Sequence, residues 1–398
     1  MIKTFKQSAK APGGYDLSGR LELTETTFAL TLNGTMAGEA PPDPPELPEL
    51  AEIIEPTGGD DTALLRDKVN RMADGDTLVL RGMFRVSDTL KFEGGRGRTV
   101  CGYPGERSGL LVESAEMPGM YGAMLWFKDA QASTMRDLEI DGQNKSTTPV
   151  EVDWGSGNTI ERLYIHDIGY SGSDDGTLAA IHSEGGAGLT VRGCRIERTG
   201  GNPDRDEGIR GIWLGKGQAD ALVEDNDISD TGHTCIAVEP CSAIIRRNRA
   251  SNSLTQGTLF KIMLHPQAEY TGKVEFYENT GEHSKNGGLM LEAAAYELVD
   301  IHHNTFRDCG AQGTTFGFLY SSQSTTRNAR VHDNIVENCR SFGAMNRSEN
   351  CEFENNRITG ENTLWLESDV HNVTVNNSGQ VSVGSACTNI WVDGQQIA

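Results

Sequence analysis

No stretch of this 398-residue sequence approaches the roughly 18 consecutive apolar residues that a membrane-crossing helix needs, so no membrane insertion is expected. Basic residues are scarce: 35 Lys and Arg stand against 57 Asp and Glu, for a formal charge of −22. Binding to a phosphate backbone rests on clustered cations, so nucleic acid is not expected as a partner, nor is long-range steering of a polyanion. The eight cysteines lack zinc-type spacing, which leaves free thiols as the default and no metal centre to assign. Apolar residues make up only 36% and aromatics 7%, thin for a compact globule but sufficient for a narrow solenoid core. The opening Met1–Gln7 lacks the apolar run of a signal peptide.

What the sequence does hold is a repeat. Asn226, Asn248, Asn279, Asn304, Asn334 and Asn356 each sit one residue past an alternating apolar–polar segment, such as Val331-His332-Asp333-Asn334. Leu138, Leu163 and Cys194 occupy the same mark in earlier copies, and the steps vary between 22 and 32 residues. A short strand, a turn and a further strand per step describe one coil of a β-solenoid. Stacked Asn side chains at one turn can hydrogen-bond along the stack, as amide ladders do in cross-β assemblies. Five residues past the marks runs a column of small residues: Thr199, Thr231, Ser253, Ser284, Cys309 and Cys339. It predicts a tight inward bend with Cys309 and Cys339 stacked as thiols, a disulfide being the less favoured alternative. The fold expected is all-β: a right-handed, single-stranded parallel β-helix.

Three segments complete the organisation. Residues 1–40 read as a small β element, because Leu21–Leu23 and Phe28–Leu32 alternate apolar and polar. Residues 41–54, opening Pro-Pro-Asp-Pro-Pro, read as a stiff linker, and 55–398 as the β-helix. Asp61 and Thr62 can start a helix with Leu65, Val69 and Met72 on one face, a cap over the first coil.

Counting fixed offsets from the Asn marks places a further strand. Its inward columns read Ile236, Ile262, Leu289, Phe318, Ala344 and Val238, Leu264, Leu291, Tyr320, Asn346. The outward stripe between them is then Ala237, Met263, Met290, Leu319, Met345, apolar enough to suggest a covered face or side-by-side packing into a homotrimer. The next outward column is Glu239, His265, Glu292, Ser321, Arg347. Glu239, His265 and Glu292 are the candidate catalytic residues. Two carboxylates on alternate rungs stand roughly 10 Å apart, near the spacing of an inverting glycosidase. His265 or Lys261 as base, with Arg347 neutralising a uronate, would suit a lyase instead. Trp213 and Trp365 should face outward, where an indole suits the apolar face of a pyranose. Calcium is a further possibility at the acidic runs Asp174-Asp175 and Asp204–Glu207.

The capping helix, the strand near Gly75–Leu80 and the Asn-centred turns together resemble the pectate-lyase-like β-helix superfamily, from about residue 55 to the end. That resemblance implies a polysaccharide partner, since its members include lyases, glycoside hydrolases, uronan epimerases and bacteriophage tailspikes. No catalytic motif transfers whole. Asp174-Asp175, Gly232-His233 and Phe260-Lys261-Ile262 echo three polygalacturonase motifs out of their usual spacing, and His265-Pro266 is only part of the epimerase motif. The β element, linker and capped coil resemble the layout of a virion spike whose N-terminus meets other virion proteins. Such a spike is released by lysis and acts outside the cell on a bacterial surface glycan. A stand-alone lyase or hydrolase, or a purely structural spike, are the alternatives.

Overall fold

The computed structural model describes residues 47–398 apart from 49, 114–122, 147, 171–177, 203–206, 240–241, 255–256, 264–271, 293–295, 311–316, 322–325, 361–362 and 378. It also describes the backbone of three strands before residue 37. Those strands, Ile2–Ala9, Tyr15–Leu23 and Phe28–Met36, form one antiparallel sheet within a separate unit, Met1–Leu47.

The second unit, Pro48–Ala398, is a parallel β-solenoid with three faces. Its first turn runs through Thr77–Leu80 on the first face, Met83–Val86 on the second and Leu90–Glu93 on the third. Successive turns pair in parallel, giving eleven strands on the second face and twelve on the third among the described residues. Glu52–Ile54, assigned to the linker by sequence, is instead a first-face strand paired with Thr77–Leu80. The capping helix spans Thr62–Arg71 and buries Leu65 and Val69, with Met72 buried just beyond it. Asp61 does not cap it through its side chain. Its carboxylate accepts from the amides of Thr57 (2.7 Å) and Arg85 (3.2 Å), tying the helix start to the second face. Asp60 takes the Thr62 amide instead (2.9 Å).

The Asn ladder stands at the turn between first and second faces. Nδ2 of Asn226 donates to Oδ1 of Asn248 (2.8 Å), and the chain continues through Asn279, Asn304, Asn334 and Asn356 to Asn377. Each Oδ1 also accepts the backbone amide of the Asn before it, so every ladder residue satisfies buried backbone as well as its neighbour. The small-residue column is buried as expected, and Cys309 and Cys339 are free thiols. Inside, edge-to-face and tilted ring contacts run from Phe260 to Phe306, Phe318, Phe342 and Phe353, so the core is filled to its axis.

Candidate active site

The sequence Val150-Glu151-Val152-Asp153 alternates apolar and polar on a third-face strand, Thr148–Asp153, and so does Ile181-His182 on the next, Ala179–Glu184. Val150 and Ile181 point into the core, and Glu151 and His182 therefore point out. Strand register fixes the outward column completely: Lys91, Trp126, Glu151, His182, Trp213, Ala237, Lys261, Met290, Tyr320, Ala344, Trp365 and Ser382. Beside it, two residues further along each strand, run Glu93, Lys128, Asp153 and Glu184.

On the rungs of Glu151 and His182 the outward side chains are buried rather than solvated. Glu151, Asp153 and His182 are at most 4% exposed and bring one ligand atom each within 4.8 Å of the others. His182 Nδ1 lies 2.6 Å from Glu151 Oε1, and the Trp126 indole N–H donates to Asp153 Oδ2 (2.8 Å). The Trp213 ring stacks at a tilt on His182, centroids 4.4 Å apart, and the Arg210 guanidinium lies 4.6 Å over that indole. Trp213 packs with Ala179 and Ala237 in a small apolar cluster outside the main core. Gly215 packs closely at this end: a Cβ there would stand 2.7 Å from the Ser183 carbonyl oxygen and 3.1 Å from His182 Nε2.

Burial decides the electrostatics. Loss of water disfavours the charged form of each group. It pushes the Glu151 carboxyl up to about 8, with the Glu184 charge adding to it. Asp153 rises to about 7, through burial and then the neighbouring Glu151 charge. His182 falls to about 4 by burial, against the pull of Asp153, Glu184 and Glu239. Near neutral pH the imidazole is uncharged and the two carboxyls share a proton. The Glu151 and Asp153 side chains are thus bonded to each other, while Trp213 Nε1 and Thr148 Oγ1 are buried without a hydrogen-bond partner. Three carboxylate or imidazole donors this close could also hold a cation.

The sequence-stated candidates fall on the same face further along the coil, with corrections. Glu239 and Glu292 do share a column two rungs apart, but Met263 stands between them, because Val238 pairs with Ile262 and Met263 with Glu292. His265 lies outside the described residues, as do Asp174-Asp175 and most of Asp204–Glu207. Lys261 and Trp365 point outward and are half-buried; Trp213 points outward yet is buried. Arg347 leaves the column: it is exposed at a turn with φ 47°, and Asn346 takes its place, donating to Glu367 (2.8 Å). The apolar stripe dissolves too, since Leu319 and Met345 are buried core residues and Lys261 and Tyr320 stand outward. Fixed offsets fail because the connections into the third face differ in length from coil to coil, and only cross-strand hydrogen bonds set the register.

A family described as "Right handed beta helix region" matches residues 111–260 and 244–358. The chain belongs to the right-handed β-helix family. No curated protein matches it significantly in sequence. Solved structures resemble it in fold. A mutant tailspike protein of E. coli bacteriophage HK620, in complex with a pentasaccharide, superposes with TM-score 0.55 at 10% identity, over 81% of this chain and 69% of that one. The Streptococcus pneumoniae surface protein and adhesin PfbA gives 0.53 at 11%, over 86% and 97%. The catalytic domain of a GH87 alpha-1,3-glucanase in complex with nigerose gives 0.51 at 13%, over 92% and 70%. At such identities the likeness establishes the fold, and this β-helix must be read for function from its own side chains.

Proposed function

We propose that this β-helix binds a polysaccharide along its third face and hydrolyses it at the Glu151–Asp153–His182 cluster. The observation that carries the reading is a carboxyl pair that keeps a proton near neutral pH, set beside buried Trp213 Nε1 and Thr148 Oγ1 that have no partner. Buried polar groups are rarely left unpaired without a reason, and a sugar's hydroxyls can both donate and accept. The three carboxylate-bearing positions then divide the work. Glu151, held by His182, is the general acid: its proton passes to the glycosidic oxygen as the bond from the anomeric carbon breaks. Asp153, the more readily ionised of the two carboxyls, whose charged form the Trp126 N–H favours against burial, and half-buried Glu184 on the adjacent rung supply negative charge to the oxocarbenium-like carbon. Water forms the new bond to that carbon and gives its proton to a carboxylate.

The test is a polysaccharide panel assayed for new reducing ends and, in parallel, for the ultraviolet absorbance of an unsaturated uronate. The reading expects reducing ends without that absorbance, lost in Glu151→Gln and Asp153→Asn. Unsaturated product, or undiminished cleavage by both variants, overturns it. We further propose a spike-type setting, a trimer on a virion facing a bacterial surface glycan, supported by the separate N-terminal unit, with its antiparallel sheet and the proline-rich stretch that follows that sheet in sequence. Sedimentation of dilute protein checks this: a stable three-chain species supports it and a monomer removes it.

A further inference from the structure

Charge on these rungs is lopsided in a way that constrains the sugar. The third-face strands from Leu90 to Leu214 carry three cations, Lys91, Lys128 and Arg210, and each is already engaged. Lys91 pairs with Glu93 (2.8 Å), Lys128 reaches the same carboxylate (3.8 Å), and both lie over the Trp126 ring. Arg210 sits over Trp213. Against them, Glu151, Asp153 and Glu184 crowd one spot, and the charge of Glu239 reaches His182 as well. Burial first, and then charge repulsion from Glu184 on Glu151 and from Glu151 on Asp153, keeps a proton on the carboxyl pair. A substrate carboxylate or sulfate brought here would meet the same repulsion in a site largely emptied of water, where charges are poorly screened.

Aromatic surface is what the site offers instead. Trp126 and Trp213 flank the cluster, and a third indole stands outside it. Trp154 follows Asp153 directly, is 61% exposed, and takes φ 58°, a left-handed backbone that a bulky side chain adopts at a cost. Its ring lies flat on Gly185, one residue past Glu184: a Cβ there would stand 2.6 Å from Trp154 Cε3. Only glycine leaves that floor clear. A strained, exposed tryptophan with a bare-backbone seat, next to the site on two adjacent rungs, has the form of a sugar platform.

We propose that the glycan this site takes carries no anionic group, and that it is gripped by stacking, with Trp154 the outermost platform. The proposal rests on the third-face site described above, but not on cleavage there. The experiment is binding of the intact protein to an array of uncharged, N-acetylated, uronate-bearing and sulfated oligosaccharides. The strongest ligand is then titrated against wild type, Trp154→Phe and Trp154→Ala. The expected result is binding confined to glycans without carboxylate or sulfate, an affinity loss of up to about tenfold in Trp154→Ala, as one aromatic contact is worth, and recovery in Trp154→Phe. Preferential binding of uronate-bearing or sulfated glycans overturns the proposal, as does binding of none, or an unchanged affinity in Trp154→Ala. The two readings fail separately. Glu151-dependent cleavage of a uronan would remove this proposal and keep the hydrolase, whereas an uncharged ligand bound and never cleaved would do the reverse.

Discussion

Replacing Glu151 by Gln should stabilise the protein, and more so as pH rises. In the unfolded chain this carboxyl gives up its proton near 4.5, while in the folded state burial holds the proton to about 8. Between those values the folded state binds more protons than the unfolded, so stability falls as pH climbs through the window. At about 1.4 kcal/mol per pH unit the full cost is about 5 kcal/mol above pH 8 and about 3 kcal/mol at pH 7, shared with Asp153 because the two carboxyls titrate as a pair. Gln keeps the shape and has no proton to lose. His182, whose depressed value costs stability as pH falls from 6.5 toward 4, is present in both proteins and cancels in the comparison. The assay is the thermal midpoint of wild type and variant, read by circular dichroism from pH 5 to 9. The variant should match wild type near pH 5 and exceed it progressively above pH 6. A difference that is flat with pH, or that favours wild type at pH 8, refutes the buried-proton argument.

Activity should follow the same group. Hydrolysis is expected to decline as pH rises through about 8, where Glu151 loses its proton, and Glu151→Gln should lower the rate about 10²- to 10⁴-fold, measured as reducing ends per unit time. Asn279→Leu leaves the buried Asn248 amide without its acceptor and takes one donor from the Ile245 carbonyl, and should cost about 1–3 kcal/mol, read as a lowered unfolding midpoint. Leucine already fills the equivalent mark at Leu138 and Leu163, so the loss would reflect unmade hydrogen bonds rather than a clash. The seven described cysteines are buried, so peptide mapping after thiol labelling should find them unmodified in native protein and modified once denaturant is added.

Much of the fold was legible because its strongest restraint is written in one residue type. An Asn that must satisfy both its neighbour's side chain and backbone tolerates few substitutes, and the six ladder positions could be aligned by eye. The third face has no such marker. Its strands follow connections of varying length, and a two-residue error after Asn248 moved Met263 out of the column of Glu239 and Glu292 and put His265 there. The Glu151–Asp153–His182 cluster lies on rungs before the ladder turns to Asn, where Leu138, Leu163 and Cys194 mark the turn less clearly. The readable signal was the shared alternation of Val150–Asp153 and Ile181–Glu184. What no sequence pattern conveys is that these outward side chains are buried, and burial is what raises the carboxyls.

The most direct measurement is a crystal structure of Glu151→Gln soaked with an oligosaccharide that the wild-type protein cleaves. The sugar should lie across the third face with a glycosidic oxygen at residue 151, hydroxyls on Asp153 and on the Trp213 N–H, and a ring over Trp154. Density for the sugar on the first or second face, or at the Glu239–Glu292 rungs with residue 151 uncontacted, would contradict the account.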